Sequence, residues 1–133
     1  MGRKYSAKRG GERGTAAVEF ALVLPLVLVM SLAIVQIGLL VKDQVLIEES
    51  ARAGAREAAV TVDDGAVRQA VVAAAIGLDE EQLDVTVARE GGAGSAVTVT
   101  VVYHSPVGIP LVTWLFPDSV DLKGTAVMRQ ETG

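Results

Sequence analysis

From Phe20 to Val41 the chain reads "FALVLPLVLVMSLAIVQIGLLV", 22 residues without a formal charge, 15 of them Phe, Leu, Ile or Val. Apolar positions here are continuous, with no one-sided stripe, which is the pattern of a helix surrounded by apolar solvent on every side. As a helix the run spans roughly 33 Å at about 1.5 Å per residue, enough to cross a hydrocarbon core about 30 Å thick. A chain of 133 residues has too little other mass to bury such a helix all round, so the run predicts a membrane span.

The pattern changes after Val41. "KDQVLIEESARAGAREAAV" has no Pro and is rich in helix formers, so the helix continues, now with a face of small residues at Ala51, Ala55 and Ala58 or Ala59. That face predicts close packing on the chain's own sheet in preference to a subunit contact. Glu48 and Glu49 stand at helical pairing distance from Arg52 and Arg56 on the opposite, solvated side. In "TVDDGAVRQAVVAAAIGLDEEQLDV" a second helix is capped by Asp63 or Asp64, spaced by Val67, Val71, Ala74 and Leu78, and stopped at Gly77.

Strict alternation then takes over. "LDVTVAR" and "AVTVTVVY" flank the Gly-rich "EGGAGS" as a hairpin, and "SVDLKGTAVM" supplies a third strand. The fold class expected is α+β: a long N-terminal transmembrane helix continuing into a small domain of one helix and a three-stranded antiparallel sheet, with helices covering one sheet face. Its divisions are a basic leader at 1–14, the span at 15–41, a helical extension at 42–62 and an extracytoplasmic domain at 63–133. Between the last two strands "SPVGIPLVTWLFPD" holds three prolines and the densest apolar cluster outside the span. It reads first as cover for the sheet and second as a membrane or partner patch, Trp114, Leu115 and Phe116 being where the readings diverge.

Charge fixes the topology. Five of the first 14 residues are Lys or Arg against Glu12 alone, a segment of +4 that leaves −8 for the other 119 residues. Cations on one flank of the span predict a cytoplasmic N-terminus and a single-pass protein of the cytoplasmic membrane with its C-terminal domain outside. A secretory signal peptide fits less well, since its apolar core is about 7 to 15 residues and no A-x-A site closes this run.

Within that frame "RGTAAVEF" gains meaning. Gly14, Thr15 and Glu19 resemble the processing site of type IV prepilins, in which a dedicated peptidase cuts after Gly and Glu stands fifth in the mature chain. Together with "ESARAGAREAAV" at 49–60 and "AVMRQE" at 126–131, the chain resembles the TadE-like proteins of tight-adherence (Flp) pilus systems. The resemblance implies a non-enzymatic pseudopilin or minor-pilin-like component of pilus biogenesis or a related secretion machine. Cleavage falls between Gly14 and Thr15, and Glu19 with the new Thr15 amine serves subunit alignment. Its implied partners are the cytoplasmic membrane, a prepilin peptidase, other pilin-like or TadE-like subunits and the assembly platform. Independently of the family, a carboxylate at the edge of a span costs far less than one at its centre, so Glu19 is compatible with insertion. The competing class is a single-pass envelope protein whose outer domain binds a ligand or wall component, with Gly14 and Glu19 coincidental.

Catalysis and cofactors find no footing. The one His, His104, reads as an ordinary strand-end residue, and His104–Ser105 lacks the third group of a triad. Asp79, Glu80, Glu81 and Asp84 lack the alternating ligands and turn Gly of a calcium loop and read as a helix-capping cluster, Asp79 and Gln82 being at capping-box spacing. No metal, cofactor or nucleic-acid partner is expected, since the basic arm has only Tyr5 for base stacking. There is no Cys, hence no disulfide or thiolate site.

Overall fold

The structure is a computed structural model that describes residues 10–110 and 114–131, with side chains from Gly14 onward. A single helix, α1 (Gly10–Val60), runs through both the uncharged segment and the small-residue segment, passing Pro25 on the way. It starts within the basic leader and ends two residues short of the expected extension. At its end Thr61 N–H still reaches the Glu57 carbonyl at 3.0 Å, and Thr61 Oγ1 then accepts from Asp63 N–H at 3.2 Å. Helix α2 (Asp64–Ala74) starts at once, because Asp63 is extended and its carboxylate accepts from Gly65 N–H.

Helix α2 is shorter than its sequence spacing implies. It stops at Ala74, the Ala75 N–H turning to the carbonyls of Val71 and Val72, and Gly77 follows with φ +87°. Gly77 therefore reverses the chain after the helix rather than ending it, and Ala75 instead of Ala74 is the buried third residue of the stripe after Val67 and Val71. Asp79 caps a 3₁₀ turn at Glu80–Gln82 by accepting from Glu81 N–H at 3.1 Å, which accounts for part of the acidic cluster by capping.

Three antiparallel strands follow, β1 (Leu83–Arg89), β2 (Ala96–Pro106) and β3 (Ser119–Arg129), in the spatial order β1-β2-β3. The central strand β2 runs three residues past the expected end at Tyr103 and β3 one past Met128, so that β2 and β3 stay paired from Ala96↔Arg129 to Pro106↔Ser119, while β1 keeps its expected bounds. Pro106 is tolerated because it is the last residue of its strand. The hairpin between β1 and β2 turns through Gly94, at φ +87°.

Period two sorts the sheet into a dry and a wet face. Val97, Val99, Val101 and Tyr103 of β2 are buried with Leu83 of β1, against Ile47, Ala51, Ala55 and Ala58 of α1 and Val67 and Val71 of α2. Each fully buried Val or Ile contributes about 1.5–3 kcal/mol of apolar burial. The wet face carries a row of three threonines, Thr86–Thr100–Thr125, and beside it Asp84, Lys123, His104 and Asp121.

Small residues set how closely the layers approach. A methyl group added at Gly54 meets Val71 Cγ2 at 2.5 Å and Val99 Cγ1 at 3.1 Å; one added at Gly124 meets the Ile47 carbonyl oxygen at 2.8 Å. The Ala/Gly face of α1 is thus the seat of the chain's own sheet and second helix. At the edge of that face, Glu48 accepts from Gln44 Nε2 at 3.1 Å.

Candidate functional site

The membrane segment and the folded domain occupy opposite ends of one helix. Between Val18 and Val41 most large apolar side chains point outward: Leu22 is 74% exposed, Ile34 68% and Phe20 66%. Among the described residues no element covers them, and the helix is long and apolar enough to cross a membrane. Of the polar residues inside the run, Ser31 is satisfied locally. Ser31 Oγ donates to the Val27 carbonyl at 2.8 Å, one turn back, so that hydroxyl needs no outside acceptor. Pro25 leaves one backbone carbonyl without its usual helical donor, a gap that transmembrane helices accommodate.

Gly14, Thr15 and Glu19 all lie on α1 and all are exposed. Thr15 and Glu19 are four residues apart, which puts them on one face a single turn from each other, about 6 Å along the axis. A methyl group added at Gly14 meets nothing within 4 Å, so no packing inside this chain demands Gly there. Thr15 and Glu19 thus share one exposed face of the helix, a turn apart.

Trp114, Leu115 and Phe116 lie elsewhere, in the β2–β3 connection. Trp114 is 73% and Leu115 50% exposed, Phe116 is half-buried and Val107 is buried. The expectation that this cluster is primarily a cover for the sheet is therefore corrected for Trp114 and Leu115: the sheet face is already filled by α1 and α2, which leaves no vacancy for them. Leu111, Val112 and Thr113 fall outside the described residues.

Two groups were underestimated by sequence reading. His104 is inside β2, not at its end, and bridges all three strands: Nδ1 lies 2.6 Å from Asp121 Oδ1 on β3 and Nε2 lies 3.2 Å from Asp84 Oδ2 on β1. The hydrogen bond to Asp121, then that to Asp84, raises its pKa above the usual 6.5. Ser105 points to the other face, where its Oγ donates to Asp43 Oδ2 at 3.2 Å. Adjacent strand residues face opposite ways, so His104 and Ser105 form no nucleophile–base pair. A cross-strand partner, Asp121, was the signal available for His104, and it becomes visible only once the β2–β3 register is known.

Gln36 is the other. It is 2% exposed, within the uncharged run, and its Oε1 has no hydrogen-bond partner among the described residues. Near the far end, Arg89 Nη1 pairs with Asp64 and its Nη2 donates to the Thr61 carbonyl at 3.3 Å, tying β1 to the α1–α2 junction. Among the described residues no group of three or more His, Asp or Glu is arranged to hold a metal ion.

Residues 14–56 match the family model described as TadE-like protein. No curated protein and no solved structure matches the chain. The match starts at Gly14 and ends four residues before the end of α1, so it covers the span and most of the small-residue face. The strands, including the "AVMRQE" stretch at 126–131, lie beyond it. A continuous helix whose first half is bare and apolar and whose second half seats a small α+β domain is what those 43 residues encode. Over residues 14–56, about a third of the chain, the sequence is similar to the TadE-like family.

Proposed function

We propose that this chain is a single-pass, pseudopilin-like or minor-pilin-like component of Flp pilus biogenesis or a related secretion machine. The observation that carries the reading is the coincidence on one exposed helical segment of Gly14, Thr15, Glu19 and an uncovered apolar run, all within the TadE-like match. The basic segment stays in the cytoplasm and the α+β domain stands outside, a reading supported by the five cations before the span. A prepilin peptidase cuts between Gly14 and Thr15. Because α1 includes Gly10–Gly14, the bond becomes accessible when the first turns of the helix unwind, which is where helices fray first.

After cleavage the Thr15 ammonium and the Glu19 carboxylate sit one turn apart at the membrane edge. Opposite charges there stabilise insertion of both, within one chain or between neighbouring subunits. Ala16, Ala17, Ala21 and Ala33 give the span small positions through which other pilin-like subunits or the platform can pack closely.

The experiment is to determine the N-terminal residue of the protein isolated from membranes. A start at Thr15, lost in Gly14→Val, supports processing; retention of Met1 or Gly2 returns the chain to an unprocessed envelope anchor, and a start beyond Val41 makes it a secreted domain. For Glu19, the alignment role fails if Glu19→Ala leaves cleavage, complex formation and pilus assembly unchanged.

A further inference from the structure

The direction of the strands along α1 fixes which end of the domain meets the bilayer. Val99 lies beside Gly54, and six residues later in β2 Ser105 donates to Asp43. β3 climbs back: Gln44 Nε2 donates to the Lys123 carbonyl at 2.9 Å, Gly124 abuts Ile47, and Glu131 N–H bonds the Ala59 carbonyl at 2.7 Å. The β2–β3 connection therefore leaves and re-enters the sheet level with residue 43, just past the end of the uncharged run at Val41. The β1–β2 turn, whose Gly94 N–H bonds the Gln130 carbonyl, is at the opposite end.

The domain also reaches below that level. On one side of α1, Leu40, Ala33 and Leu32 are half-buried and Gln36 is buried, while the neighbouring Val35 and Ile37 are more than half exposed. Cover of this helix face thus extends about two turns into the uncharged run. The connection that occupies this end is held at its neck by Val107 N–H to the Asp118 carbonyl at 3.2 Å. From Pro106 to Pro117 it has no charged residue and no His.

We propose that the described end of the β2–β3 connection is a second membrane contact: Trp114 and Leu115, with the half-buried Phe116 next to them, insert in the outer headgroup region next to α1. This rests on the reading of 20–41 as a membrane span. A bilayer is favoured over a protein partner as occupant because the connection that carries the exposed apolar residues leaves and re-enters the sheet at the level where the span emerges. Trp is also the residue that favours this interface, one end of its ring apolar and the other able to hydrogen-bond. With no Lys or Arg in the connection, insertion is driven by apolar burial and is indifferent to headgroup charge and salt. The domain then rests on the membrane instead of swinging from a stalk.

Trp114 is the one tryptophan of the chain, so its fluorescence reports this contact directly. The full chain is reconstituted in phosphatidylcholine vesicles, and its retention after alkaline extraction is checked first; loss at that step condemns the span itself, separately from the loop. Expected next are blue-shifted emission, loss of most of the signal when the lipid acyl chains are brominated, and protection from aqueous iodide, unchanged in vesicles containing anionic lipid or at high salt. A reporter moved to the far end of the domain, Trp114→Phe with Val127→Trp, gives the reverse: quenching by iodide and none by bromolipid. Trp114 quenched by iodide and untouched by bromolipid overturns the proposal. Protection from both quenchers overturns it equally and assigns the patch to a protein contact.

Discussion

The two halves of α1 are equally helical and use apolar surface in opposite ways. From Phe20 to Val41 large side chains point outward and only Gln36 is buried; from Ile47 to Ala59 the buried positions are Ile47, Ser50, Ala51, Gly54, Ala55, Ala58 and Ala59, and charged residues take the outside. The first half suits transfer into lipid, where bulk is favourable. The second half is selected for fit, where bulk is harmful because a sheet and a helix must approach the backbone. The same residue change should therefore have different consequences on the two sides of Val41.

The largest effect separates the halves outright. Ile47→Ala removes a fully buried side chain at the centre of the domain core and should cost about 2–5 kcal/mol of domain stability, read by chemical denaturation of the purified protein in detergent. Met30→Arg, at a position 58% exposed in the middle of the span, should leave that stability unchanged. Its penalty falls on insertion, about 2.5–3.5 kcal/mol for the charge at a helix centre, read as the membrane-integrated fraction. If Met30→Arg also unfolds the domain, the two halves are not energetically separate.

A smaller effect sharpens the comparison by adding bulk instead of removing it. Gly124→Ala forces a methyl group to within 2.8 Å of the Ile47 carbonyl oxygen, a backbone atom that cannot swing aside, and should destabilise the domain by about 1–3 kcal/mol. Gly38→Ala, on the other side of Val41, meets nothing within 4 Å and should stabilise the helix slightly, by the several tenths to about 1 kcal/mol that separates Gly from Ala. Equal effects at the two glycines would show that α1 packs against something at Gly38 as well.

Periodicity made most of this architecture readable. The long apolar helix and its continuation, the Asp63 cap and the three strands follow from patterns carried within short windows, and the structure shows each. What could not be read depends on pairings between distant parts of the chain. The end of α2 depends on where Ala75 finds its carbonyls, and the exposure of Trp114 depends on the sheet being already covered. The proposed processing motif Gly14, Thr15 and Glu19 can be picked out of the sequence because it is local, one stretch on one helix; the burial of Gln36 could not, since nothing in the uncharged run distinguishes its covered side.

The wet face of the sheet provides the smallest effect and the only one that depends on pH. His104 accepts no core packing, and its contribution is to join β1 and β3 through Asp84 and Asp121 when its ring carries both protons. Its pKa is raised in the folded state by those two hydrogen bonds. The folded state thus binds the proton more tightly than the unfolded chain does. The stabilisation is fully present below the unfolded value near 6.5 and disappears as pH rises through the higher folded value. Because the cluster is exposed, the change is expected to be modest and screened by salt. Denaturation midpoints measured across that range should fall with rising pH in the parent protein and stay flatter in His104→Gln, while Ile47→Ala shifts the midpoint without changing its pH slope. A parent midpoint that rises through the same window reverses the sign and excludes the bridged, protonated His104 as a stabilising contact between the strands.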